Sequence, residues 1–154
     1  MIGADVLLTG TSGVGRDVLV ALLQRTPSRV ALLMPDATLN LDANDCARVD
    51  LLGGDISAPN LALHADVRGR LTETLETIVH PSGATADVLM LAERCFMAGR
   101  LQRFIHVNGA AEDRMVRAAM NAGLPVTIIG PGINTKAHVV SAVVRAVSSD
   151  VRCA

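Results

Sequence analysis

The sequence predicts one α/β domain in which a doubly wound, Rossmann-like parallel sheet is covered by helices on both faces. Three observations carry that prediction. Short, nearly continuous apolar runs alternate with stretches of helical periodicity; the first apolar run ends in a glycine-rich turn that opens into a helix; and no linker, repeat or low-complexity stretch divides the 154 residues. Strands that are apolar almost throughout are strands buried on both sides, which is the condition of a parallel sheet between two helix layers. Half of the residues are apolar, enough for a sizeable core. The whole chain, 1–154, therefore reads as a single domain without a separate substrate domain.

The first strand is predicted over 5–9. The helix that follows has Val14, Val18, Leu22 and Leu23 at helical spacing and is stopped by Pro27. A second strand spans 29–34. Residues 35–47 carry Asp, Asn, Thr and Pro without clear periodicity and read as a loop, with or without one short turn of helix. The third strand, 49–52, ends in Gly53-Gly54-Asp55; Val67, Leu71 and Leu75 then recur every four residues and mark a helix leading into a fourth strand at 77–80. Helix 84–98 is closed by Gly99, strand 103–107 follows, helix 112–122 is closed by Gly123, strand 125–129 is the sixth, and 136–147 is the last helix. Right-handed crossovers favour the strand order 3-2-1-4-5-6.

Composition excludes several function classes. A net charge of -1, a pI near 6.4 and scattered basic residues give no electrostatic case for nucleic acid or an anionic membrane surface. Phe96 and Phe104 are the only aromatic residues, which leaves little to stack on a base or a sugar. Cys46, Cys95 and Cys153 are odd in number and lack ligand-like spacing, so reduced thiols are expected rather than a disulfide framework or a metal site. The N-terminus enters a strand without a basic region and cleavage site, and no apolar run approaches the roughly 20 residues of a membrane helix. The expectation is a cytoplasmic protein with no membrane and no nucleic-acid partner.

In such a fold the chemistry lies at the carboxyl ends of the strands. The first of these ends carries Gly10, Thr11, Ser12, Gly13, Val14 and Gly15, whose glycines let backbone N–H groups approach a phosphate closely. The spacing, G-x-x-G-x-G, is one residue short of the commoner patterns, and the turn is either an anion cradle or a structural turn. About 20 residues on, where this fold offers a carboxylate to an adenosine ribose, stands Asp36; the other reading is a solvated turn aspartate. An inward Asp36 favours NAD over NADP while Arg16 argues the other way, so the preference stays open. Asp55 either caps its turn through Ser57 or lines an adenine pocket.

The blocks VLLTGTSGVGR at 6–16, LLGGDISAPNLAL at 51–63, TIVH at 77–80, LQRFIHVNGA at 101–110 and AEDRMVRAAMNAGLPVTIIGPGI at 111–133 together resemble the extended short-chain dehydrogenase/reductase superfamily, most of all its thioester reductase and fatty acyl-CoA reductase branch. The resemblance covers most of the chain in the right order. It implies the doubly wound sheet, NAD or NADP as cofactor, and a Ser or Thr after the fifth strand working with a Tyr-x-x-x-Lys pair. The chain departs from that pattern: it has no tyrosine, no Ser, Thr or Tyr lies between Val107 and Val126, only three residues lie between His80 and the next helix at Ala84, and Gly130 stands where the family has an arginine. The sequence also stops where the family's substrate domain would begin. A general acid contributes typically about 100- to 10,000-fold, so the family mechanism does not run unchanged on these residues.

Candidate substitutes each have a plainer reading. His80 ends the fourth strand and His106 lies within the fifth; either approaches the crevice or is a hydrogen-bonded core histidine. Asn108, at the mouth of the fifth strand, donates to a carbonyl or is a turn residue before Gly109. Glu112 and Asp113 read as first-turn carboxylates favoured by the helix dipole. Thr135, before the sole lysine Lys136, contacts a nicotinamide amide or caps the last helix. Met90, Met97, Met115 and Met120 fall on the two helices flanking the fifth strand, read first as adaptable core packing and second as interface. The resemblance makes a homodimer through those helices the expected oligomer.

Three functional readings follow. The first is an NAD(P)-binding protein of this fold with altered or non-redox chemistry, an isomerase, cyclase or lyase acting on a small biosynthetic substrate, with His80 and Asn108 as its catalytic candidates. The second is a non-catalytic dinucleotide-binding sensor or assembly subunit with a protein partner. The third is an NAD(P)H-dependent carbonyl or thioester reductase with an unusual proton donor. Loss of hydroxyl, tyrosine and lysine together favours the first two over the third.

Overall fold

The computed structural model describes residues 3–11, 14–35, 41–81, 83–107, 114–129 and 136–148. In chain order these form β1 (Val6–Leu8), α1 (Gly15–Arg25), β2 (Val30–Met34), α2 (Ala43–Cys46), β3 (Val49–Gly53), a short turn at Pro59–Ala62, α3 (Ala65–Thr74), β4 (Thr77–His80), α4 (Ala86–Met97), β5 (Arg103–Val107), α5 (Arg114–Asn121), β6 (Val126–Ile129) and α6 (Lys136–Ser148). All six strands join one parallel sheet in the order β3-β2-β1-β4-β5-β6, the order expected from the sequence. The short turn of helix left open for residues 35–47 is α2, whose N-cap Asp42 accepts the Asp45 amide at 2.8 Å.

Period-2 alternation divides the strands between two cores. Val6, Leu8, Val30, Leu32, Val79, Ile105 and Val107 face one side, where α1 and α6 cover them with Val18, Leu22, Val140 and Val143. Leu7, Ala31, Leu33, Ile78 and Phe104 face the other, under Leu71 of α3, Val88 and Ala92 of α4 and Val116 of α5. Each fully buried aliphatic side chain stabilises the fold by about 1.5–3 kcal/mol, so both faces contribute and neither helix layer is dispensable.

Helices α4 and α5 end where glycine permits a left-handed residue, at Gly99 (φ 83°) and Gly123 (φ 99°). The four methionines on these helices overturn the core-packing expectation. Met90, Met97, Met115 and Met120 are all exposed, Met97 to 86%, because Val88, Leu89, Leu91, Ala92 and Cys95 already fill the inward stripe of α4 and Val116 and Ala119 that of α5. Cys95 is buried, and burial pushes its thiol up to about 11.

At the other edge of the sheet, the N-terminal ends of the strands, arginines close the helix ends. Arg48 donates to the carbonyls of Leu23 (2.6 Å), Thr26 (2.5 Å) and Ser28 (2.8 Å) just past α1, and Arg103 donates to Ala146 and Val147 in the last turn of α6.

One segment was not foreseen. Asn60, Leu61 and Ala62 have φ of 52°, 61° and 55°, three successive left-handed residues without a glycine. Burial of Leu61, the Asp55 amide on the Leu61 carbonyl (2.9 Å) and the Asn60 amide on the Asp87 carboxylate (3.0 Å) hold them there. A left-handed non-glycine residue costs about 1–2 kcal/mol, and glycine returns about 0.4–1 kcal/mol of that to unfolded-chain entropy. Exposed Ala62 is the cheapest of the three to relieve. Ala62→Gly is therefore expected to raise the unfolding free energy by roughly 0.5–1 kcal/mol in urea titrations; a loss of stability would mean the turn is not left-handed at 62.

Candidate functional site

The chain leaves β1 towards β2 on one side and β4 towards β5 on the other, so the carboxyl ends of β1 and β4 bound a crevice at the topological switch point. The Thr9 amide donates to the Val79 carbonyl at 3.1 Å and carries the pairing up to its mouth. Beyond Thr9, the first turn of α1 lies directly against the turn it came from. A Cβ on Gly15 would strike the Gly10 carbonyl and come within 3.2 Å of Pro81 Cγ, so only glycine allows this approach. Over Gly10, by contrast, no atom of the described residues lies within 4 Å of a Cβ position. The N-cap of α1 is Val14, which offers no side-chain acceptor to the first-turn amides. The positive end of the α1 dipole therefore faces the crevice.

The wall beneath is polar. His80 is fully buried and its two nitrogens bridge the crevice: Nδ1 lies 2.7 Å from Thr9 Oγ1 and Nε2 3.3 Å from the Gly83 carbonyl. A carbonyl only accepts, so the contact with Gly83 calls for a proton on Nε2, while Nδ1 pairs with the Thr9 hydroxyl. The alternative acceptor for that hydroxyl, Val79 O at 3.4 Å, is the weaker choice. His106 is the register partner of His80 on β5, and their rings stack at 5.5 Å with 7° between planes; Phe104 stands 6.3 Å from each. Both histidines thus lie on the face covered by α4 and α5. Gly83, which receives Nε2, packs against Ile56 of the β3–α3 connection, so three loops meet around the crevice.

Of the residues expected to form the site, Gly10, Thr11, Val14 and Gly15 come together at the first turn, with His80 beneath them. Ser12, Gly13, Asp36, Asn108 and Thr135 lie outside the described residues, as do Glu112 and Asp113. Asp55 has the turn-capping geometry of its two readings. Its Oδ1 accepts the Ser57 hydroxyl at 2.6 Å and the Ser57 amide at 2.9 Å, and these bonds hold the carboxyl below the usual carboxylate range. Sequence reasoning did not find the Thr9–His80 pair; its signal was that the apolar runs Val6-Leu7-Leu8 and Ile78-Val79 are each followed by a polar residue at the same edge. Among the described residues no three metal-ligating side chains cluster, and no helix is long and apolar enough to cross a membrane.

The architecture is that of a doubly wound, Rossmann-like α/β domain. No family model matches the chain, and no curated protein is significantly similar to it in sequence. Solved structures share the fold. The terminal R domain from the myxalamid PKS-NRPS biosynthetic pathway is similar with a TM-score of 0.61 and 19% identity over 84% of this chain and 49% of that one. The reductase (R) domain of a non-ribosomal peptide synthetase from Mycobacterium tuberculosis is similar with a TM-score of 0.60 and 22% identity over 80% of this chain and 46% of that one. Isoflavone reductase gives 0.60 and 14% identity over 97% of this chain and 67% of that one. The chain spans about half the length of the two R domains, and at these identities the likeness is one of fold.

Two outcomes are expected. Gly15→Ala must push α1 away from β1, at a cost of about 1–3 kcal/mol in urea denaturation; an unchanged midpoint would mean the close approach is not real. The low Asp55 pKa makes its turn contribute stability above the unfolded-state pKa, a contribution lost as pH falls through the folded value. Ser57→Ala should return the Asp55 carboxyl towards the ordinary range in an NMR pH titration, and an unmoved titration would remove the turn as the cause.

Proposed function

We propose that this chain binds NAD or NADP across the β1–β4 crevice and serves chemistry other than tyrosine-dependent carbonyl reduction on a small biosynthetic substrate. The observation that carries the reading is the N-terminus of α1, held by Gly15 against the Gly10 carbonyl at the switch point of a doubly wound sheet. Gly10, Thr11, Ser12, Gly13, Val14 and Gly15 would hold the pyrophosphate, Asp36 the ribose and Thr135 the nicotinamide amide. When bound, the dinucleotide supplies a hydride donor or acceptor. Asn108 is the proposed polarising residue for the substrate, and His80 acts through the Thr9 hydroxyl that it holds. The absence of tyrosine from the chain is what turns the reading away from the resembling family's own mechanism. Reduced thiols at Cys46 and Cys95 accord with a cytoplasmic setting.

A second reading, a dinucleotide-binding sensor or assembly subunit without catalysis, draws support from the exposed methionines of α4 and α5. Their sulfur-rich face flanks a groove of about 360 Å³ lined by Leu89, Met90, Glu93 and Met115, suited to a homodimer or another protein partner.

Titration with NADH and NADPH, read by nucleotide fluorescence, tests the shared premise and is clean because the chain has no tryptophan or tyrosine. Saturable binding below about 1 mM is expected; no binding at that concentration would remove both readings. Hydride transfer to a panel of carbonyls and thioesters should then be absent. Turnover that falls in Asn108→Ala would instead make the chain a reductase with an unusual proton donor.

A further inference from the structure

We infer that His80 is a positioning residue for the nucleotide turn, a strap that couples the geometry of Gly10 and Thr11 to the β4–α4 connection. The inference rests on the nucleotide reading above and adds to it a named determinant of affinity. The turn after β1 is anchored at its base by Thr9, whose amide is fixed on Val79 and whose hydroxyl is fixed on His80 Nδ1 at 2.7 Å. The same imidazole reaches the Gly83 carbonyl with Nε2, so one rigid ring spans from the last residue before the glycine turn to the loop on the opposite lip. Its plane is set from behind by the parallel stack on His106 and by Phe104, and it has no exposed surface through which to touch a ligand itself. A short hydrogen bond between buried partners fixes direction as well as distance, and a phosphate turn binds through backbone N–H groups whose directions are all it has to offer. The neighbouring contacts are apolar or steric, Gly15 on Pro81 and Gly83 on Ile56, and specify closeness without specifying rotation. Thr9–His80–Gly83 is a polar link that, with the Thr9 amide on Val79, sets the orientation of the turn.

The two ring nitrogens can be replaced one at a time. Asparagine places its amide near the position of Nδ1 and keeps the Thr9 bond; glutamine reaches towards the position of Nε2 and keeps the Gly83 bond. Thr9→Val removes the hydroxyl at nearly constant shape in a strand-compatible side chain. NADPH dissociation constants, urea midpoints and amide hydrogen exchange at Gly10 and Thr11 are measured for the full chain and for Thr9→Val, His80→Gln and His80→Asn. Thr9→Val and His80→Gln, which lose the Thr9 bond, are expected to weaken NADPH about three- to tenfold and to speed exchange at Gly10 and Thr11, while His80→Asn, which keeps the Thr9 bond and gives up the Gly83 anchor, shows a smaller effect of about two- to threefold. If all three variants lose urea stability alike with NADPH affinity and local exchange unmoved, the ring is a core residue and the inference fails. If the unsubstituted chain binds no NADPH, the nucleotide reading fails, and the exchange rates at Gly10 and Thr11 still decide whether the strap exists.

Discussion

The contact on which the rest of the crevice depends is the one between the first turn of α1 and the end of β1. With no side chain on Gly15, the helix starts against the Gly10 carbonyl and Pro81, which brings Val14 and Val18 onto the sheet and aims the helix dipole at the switch point. A helix set off by even one methyl group would lift Val18 and Leu22 from the core that α1 shares with α6, and would carry the first-turn amides away from the crevice. The stability of one face and the chemistry of one edge therefore rest on the same missing side chain.

The two edges of the sheet are built differently. At the N-terminal edge, Arg48 and Arg103 satisfy the carbonyls at the ends of α1 and α6 with charged, multidentate bonds. At the other edge the N-cap of α1, Val14, makes no side-chain capping bond, and the loops meet through glycines and a buried imidazole. Charge is committed to structure at the first edge, and the second faces solvent with the positive end of a helix dipole.

Most of the architecture was legible in the sequence because two-sided burial writes strands as nearly unbroken apolar runs and helices as apolar stripes with a period near 3.6. The span 103–107 matches β5, and Gly99 and Gly123 mark real helix ends, because the left-handed residue after a helix is a local requirement that one residue type meets best. Leu61 and Ala62 gave no such signal: tertiary burial and the bonds of Asp55 and Asp87 impose their conformation against their own preference. Hydrophobicity alone misplaced the methionines, since an apolar side chain on a helix whose inward stripe is already filled has only the outer face left. In the site, glycine spacing identified the turn, but the Thr9–His80 bond joins residues 71 apart and becomes readable only once β1 and β4 are known to be neighbours in register.

The outer face of α4 and α5 also divides the sulfur of the protein by chemical reach. Cys95 is sealed in the core as a protonated thiol, whereas Met90, Met97, Met115 and Met120 meet solvent. An oxidant would convert those thioethers to polar sulfoxides before it disturbed any core contact. The apolar character of that face is thus reversible in a way that the rest of the fold is not, and a reductase acting on methionine sulfoxide would restore it without refolding the chain.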